Sequence, residues 1–192
     1  MQVVNNKSKK VLAKDLKILI ADYITSHFGN INIATEVMYG SSRKVVDMLF
    51  VYRSNLYGIE IKSEGDNTSR LPGQLKEYDK LFDYILVFSS ESHLNSIEKL
   101  ITDHVGLFYF RDTRILKYRK PQKNTKTDKF EMLMTIPSSI VKSHFKITGH
   151  LNSDEIRRLA FRKSKKEIHQ LLISYFDDLL RHRSNVSNHL SV

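Results

Sequence analysis

The chain has 192 residues, 41% of them hydrophobic, no cysteine, and 31 Lys+Arg against 21 Asp+Glu, for a formal net charge of +10. This supports one folded domain with at most a small appendage, and excludes general disorder, a disulfide framework, a Cys-ligated zinc site and a Cys nucleophile. No apolar run approaches the roughly 18 residues of a membrane span, and Asp15 and Asp22 interrupt the N-terminal apolar stretch, so a soluble intracellular protein with an anionic partner, nucleic acid first, is expected.

Val11, Leu12, Leu16, Leu19, Ile20, Tyr23, Ile24 and Phe28 recur at helical spacing and predict an amphipathic first helix, stopped at Gly29-Asn30. A strand over 31–39 follows, ended by Gly40-Ser41-Ser42, then strands over 45–52 and 56–62 joined at Arg53-Ser54-Asn55. The polar run SEGDNTS precedes a helix over 71–82, with Pro72 tolerated in its first turn. YILVF at 84–88 has the unbroken apolarity of a buried parallel strand, and a helix over 92–105 and a short strand over 107–110 complete an α/β core.

Residues 119–129 read as a polar, basic linker, and 130–192 as all-helical, with caps at Asn152–Glu155 and Ser164–Glu167 and an apolar stripe on the last helix. The tail from Ser184 is expected to fray. Charge follows this division. Residues 1–110 hold 13 Lys+Arg and 13 Asp+Glu, whereas 111–192 hold 18 and 8, so the whole excess is C-terminal. Arg157, Arg158, Arg162, Lys163, Lys165 and Lys166 are accordingly candidates for phosphate contact.

The third strand reads GIEIKS, and alternation puts Glu60 and Lys62 on one face, Ile59 and Ile61 on the other. Asp47 lies within the apolar second strand. A turn centred at Ser54, or half a residue earlier, brings Asp47 nearly opposite Glu60, close enough for two carboxylates to share Mg²⁺ or Mn²⁺. Glu36 on the first strand is a third candidate carboxylate, with Asp15 or Asp22 as alternatives. Gln74 and Tyr78 share one helix face. Arg70 is placed to hold a phosphate, and Asp66 to orient the loop or cap the helix.

Asp47, then Glu60-Ile61-Lys62 on a strand, then Gln74-x-x-x-Tyr78 on a helix resembles the PD-(D/E)XK nuclease superfamily, with Val46 where many members have Pro. The string Glu36…Arg43…Asp47…EIKSEGDNTSRLPGQLKEYD looks like a bacterial and phage family of unknown function with an EIKS-x-x-D…RL…Q…Y signature. The resemblance implies a restriction-endonuclease-like αβββαβ core with a mixed central sheet over 1–118, followed by the basic linker and the basic helical region. It also implies a Mg²⁺-dependent endodeoxyribonuclease, cytoplasmic in a bacterium or phage-infected host and possible as a homodimer. Asp47, Glu60, the Ile61 carbonyl and Glu36 would hold the metal. Lys62 would act on the attacking water and Gln74 would position the phosphate. Arg43, Arg70, Tyr78 and the basic helices would contact DNA. A non-catalytic nucleic-acid-binding or interaction module and an RNase are the alternatives.

Overall fold

The computed structural model describes residues 13–189, with side chains from 15 to 183. Val11 and Leu12 of the predicted first helix lie outside the described residues. The elements are α1 (Ala13–Phe28), β1 (Ile33–Tyr39), β2 (Lys44–Tyr52), β3 (Asn55–Lys62), α2 (Leu71–Asp79), β4 (Tyr84–Ser90), α3 (Leu94–Leu100), β5 (Gly106–Arg111), β6 (Arg114–Arg119), α4 (Lys129–Thr135), α5 (Ser138–His144), α6 (Ser153–Ala160) and α7 (Lys165–His189). The six strands form one mixed sheet in chain order. β1–β2, β2–β3 and β5–β6 are antiparallel, while β3–β4 and β4–β5 are parallel. The fold is therefore the expected mixed α/β with C-terminal helices.

Helices cover both faces. Leu16, Ile20 and Ile24 of α1 pack on Met48, Phe50, Ile59, Leu86 and Phe88. On the other face, Val46, Leu49, Leu56, Ile85 and Val87 pack against α2 and α4–α7 in one continuous cluster that includes Met132, Val141, Ile156, Leu172 and Phe176. The C-terminal helices thus share the core of the sheet. The turn between α2 and β4 packs closely on the same face, since a Cβ added at Gly58 would come within 2.6 Å of the Phe82 ring.

A short strand, β6, precedes the predicted linker at 119–129, and the linker itself is a strap. β6 ends at Arg119, and the following residues are pinned across the start of β4. The Gln122 N–H donates to the His104 carbonyl at 2.9 Å, and the Asn124 N–H to the Asp83 carbonyl at 2.8 Å. The buried Asn124 amide donates to the carbonyls of Asp79 (2.7 Å) and Phe82 (2.9 Å). The tail from Ser184, expected to fray, continues α7 to His189. The predicted second and third helices are shorter at their C-termini than read from sequence, because the chain turns at Lys80 and at Ile101 to enter β4 and β5.

The β2–β3 hairpin sets the register that matters. Arg53 (φ 47°) and Ser54 (φ 56°) both occupy the left-handed region, the backbone of a two-residue type I′ turn. Tyr52 pairs with Asn55 and Met48 with Ile59, so Asp47 stands opposite Glu60 one step further along.

Candidate active site

Glu60 and Lys62 leave β3 on the face covered by α2, at the end where the strand stops. They are 2% and 7% exposed. Charges buried this deeply require partners. Lys62 Nζ donates to Glu60 Oε1 at 2.7 Å and to Gln74 Oε1 at 2.9 Å. Gln74 Nε2 donates to the same Glu60 oxygen at 2.6 Å, and Tyr78 Oη donates to Glu60 Oε2 at 2.7 Å. Gln74 and Tyr78 reach Glu60 together because an i, i+4 pair shares one face of α2. Its apolar neighbours Leu71 and Leu75 hold the helix on the sheet.

Asp47 completes the cluster. Its Oδ2 accepts the Ile61 N–H at 2.7 Å, in place of the backbone carbonyl of a continuing ladder. Burial and the facing Glu60 raise its carboxyl to about 6, against the lowering effects of the Ile61 hydrogen bond and Lys62. The carboxyl therefore resists ionisation, and a nearby cation would relieve that resistance.

Glu36 does not join. The β1–β2 register is the same on both sides of it, so Glu36 and Asp47 face each other across the strands. Strict alternation would put residues three apart on opposite faces, yet Ala34 and Val37, and likewise Val46 and Leu49, belong to one core. Both strands slip by half a pleat at this level, and Glu36 takes a left-handed φ of 52°. Its exposed carboxylate pairs instead with Lys17 of α1. Asp22 is exposed on α1. Among the described residues, no group of three Asp, Glu, His or Cys side chains is arranged to hold a cation. The oxygen donors that do converge are Asp47 and Glu60, with the Ile61 carbonyl between them in the chain. They suit a hard divalent cation in chemistry, although every Glu60 oxygen is already hydrogen-bonded.

A cleft of about 490 Å³ opens beside this cluster, lined by Tyr39, Lys44, Arg70, Gln74, Glu77 and Tyr78 among others. Arg70 is at the mouth as expected, and Lys44 is a second cation there that sequence reading passed over. Two buried hydroxyls without a hydrogen-bond partner also lie here, Tyr39 Oη and Ser89 Oγ. Tyr39 lines the cleft, and Ser89 is in register with Lys62 on the adjacent strand. Polar atoms left unsatisfied in a core are uncommon. In the sequence these were a strand-end tyrosine and one serine of a pair, with nothing to set them apart.

Other predicted contacts are spread out. Arg43 is exposed in the β1–β2 turn with φ 50°. Asp66 orients the loop, accepting the Ser63 N–H and hydroxyl at 2.6 Å. Arg157 is half-buried and donates to the Leu133 carbonyl, while Arg158, Arg162, Lys165 and Lys166 are exposed. The start of α7 is tied to the far end of the sheet: His169 Nε2 lies 2.8 Å from Asp83 Oδ2, which also accepts the Leu56 N–H. About 20 Å of extended strand separates Leu56 from Lys62, so the cations at 162–166 are not gathered around Glu60.

Comparison with known proteins places the chain. The family model described as Bacteriophage P4 protein cII matches residues 6–190. Protein cII of Enterobacteria phage P4 is 22% identical over 183 residues, covering 90% of this chain and 69% of that one. Among solved structures, the SPO1766 protein of unknown function from Silicibacter pomeroyi is similar at a TM-score of 0.47 and 11% identity, over 69% of this chain and 83% of that one. No helix among the described residues is long and apolar enough to cross a membrane. The extent of the family match settles membership: the chain belongs to the bacteriophage P4 protein cII family.

Proposed function

We propose that the chain is a metal-dependent nuclease of the PD-(D/E)XK type, acting on DNA. The observation that carries this reading is the convergence of Asp47, Glu60 and Lys62 at the end of β3, braced by Gln74 beside an open cleft. Asp47, Glu60 and the Ile61 carbonyl would hold Mg²⁺ or Mn²⁺, which when bound supplies Lewis-acid charge for a phosphate oxygen and acidifies a bound water. Lys62 would then leave Glu60, orient the attacking water and donate hydrogen bonds to the phosphate as its charge grows. Gln74 bridges Lys62 and Glu60 and would keep both in place. Arg70 and Lys44 at the cleft mouth would hold the neighbouring backbone phosphate. Water adds to phosphorus and gives up a proton to solvent, the P–O bond to the departing sugar oxygen breaks, and that oxygen takes up a proton from solvent to leave as the hydroxyl.

One observation favours a second reading, a non-catalytic nucleic-acid-binding module. Both oxygens of Glu60 are already satisfied by Lys62, Gln74 and Tyr78. A single experiment separates the two. Labelled single-stranded, duplex and branched DNA and RNA are incubated with Mg²⁺, Mn²⁺ or EDTA. The nuclease reading expects cleavage with metal only, and an RNase would cut the RNA alone. Lys62→Ala should lose about 10²–10⁴ in rate while still binding. Equal cutting by Lys62→Ala, or binding without metal-dependent cleavage on every substrate, would sink it.

A further inference from the structure

The face of the sheet opposite Glu60 carries a second cleft, of about 350 Å³, between α1 and the β4–β6 edge. Its walls include Tyr23, Tyr57, Tyr84, Phe108, Lys117 and Lys120, and among the described residues no Asp or Glu lines it. Beneath it runs a row of rings. Phe50, Tyr57 and Tyr84 pair in register on β2, β3 and β4. Their rings stack nearly parallel, at 4.5 Å and 11° for the first pair and 4.7 Å and 13° for the second. Tyr84 ends this row and is half-exposed at the cleft. On the β5–β6 side the cleft is walled by Lys117, Lys120 and Pro121. Burial and the neighbouring tyrosines push the Tyr57 hydroxyl up to about 12, so that ring carries no charge at neutral pH.

Aromatic faces with flanking cations and no carboxylate select a ligand that is both aromatic and anionic. The volume is at the low end of the roughly 300–1,000 Å³ usual for ligand clefts, suited to one nucleotide rather than a folded partner. Lys117 and Lys120 make no ion pair with a described carboxylate, and they stand roughly 10 Å apart along an extended chain. On their flexible four-carbon stems, two ammonium groups at this spacing can reach successive phosphates of a strand. Arg114, exposed at the start of β6, continues the basic line.

We propose that this cleft binds an unpaired nucleotide within a single strand of nucleic acid, its base stacking on Tyr84 and its backbone phosphates held by Lys117 and Lys120. The site lies on the α1 face, separate from the Glu60 cluster, and the inference stands whether or not the chain cleaves its ligand.

The test uses the full chain in EDTA with a fluorescent ten-nucleotide oligo-dT and a 5-iodouracil version for photocrosslinking. The crosslink is expected on the peptide carrying Tyr84 or Tyr57. Tyr84→Ala should weaken binding about tenfold, and Tyr84→Phe less than twofold. The double variant Lys117→Ala, Lys120→Ala leaves the apolar core untouched. It should lower the slope of log affinity against log salt by about 1.4, roughly 0.7 per single-strand phosphate contact. Free dTMP should not compete at oligonucleotide concentrations. Crosslinks confined to other residues with unchanged affinity and slope would overturn the proposal, as would dTMP competing as well as the strand. A parent chain that fails to cleave with Mg²⁺ would defeat the nuclease reading and leave these readouts intact.

Discussion

On one face of β3 stand Glu60 and Lys62; on the other stand Tyr57 and Ile59. All four are less than one-tenth exposed. The strand is the same, so the difference comes from the helices laid against it. α2 brings Gln74 and Tyr78 to the first face, whereas α1 brings Leu16, Ile20 and Ile24 to the second. Charge is tolerable in a core only where the covering element supplies matched donors and acceptors. The charged face is therefore one cooperative polar unit, and the other face is separable packing. Substitutions on the first should cost more than their contacts suggest.

The largest effect should come from breaking the ion pair. Lys62→Met leaves Glu60 buried without its cation and should cost about 3–5 kcal/mol in urea unfolding at pH 7. A cost below about 1 kcal/mol would mean that Glu60 is stabilised chiefly by Gln74 and Tyr78. Next is Asp47, with the opposite sign. Its carboxyl is raised from 3.8 to about 6 on folding, so the folded chain holds this proton more tightly than the unfolded one. The resulting stability is fully present below about pH 4 and is lost as pH rises through about 6. Asp47→Asn should therefore be more stable than the parent at pH 7.5, by about 1–3 kcal/mol, with the gap closing by pH 4. Mg²⁺ should raise the Tm of the parent and leave that of Asp47→Asn unchanged. The smallest effects make the sharpest contrast. Tyr78→Phe removes the donor to Glu60 Oε2 and should cost about 1–2 kcal/mol. Tyr57→Phe on the other face should stay within about 0.5 kcal/mol. Equal costs for the two would erase the distinction between the faces.

Local pattern carried much of this. The 3.6-residue period found α1, the two-residue period separated Glu60 and Lys62 from Ile59 and Ile61, and the hairpin at Arg53-Ser54 was enough to set Asp47 against Glu60. The signals failed where structure is non-local. Glu36 counts in sequence as a carboxylate on the neighbouring strand, but its own left-handed backbone, invisible in the sequence, goes with a side chain paired to Lys17. β6 was missed because an edge strand of sequence RILKYR has only one apolar pair to mark it. The basic half was read as an appendage because charge is visible in sequence and shared burial is not. Ile156, Leu172 and Phe176 lie in the same core as Val46 and Leu56, across more than a hundred residues of chain.

That shared core has a consequence in time. α7 covers β1 and β2 and is made more than a hundred residues after them. At about 5–20 residues per second, residues 111–180 take roughly 4–14 s to synthesise. Throughout that interval Val37, Val46 and Leu49 lack the α7 side of their core. A ribosome stalled in the second half would hold an open apolar sheet with an edge at β1, a template for aggregation. The newborn chain therefore leaves this side of its core open until α7 emerges.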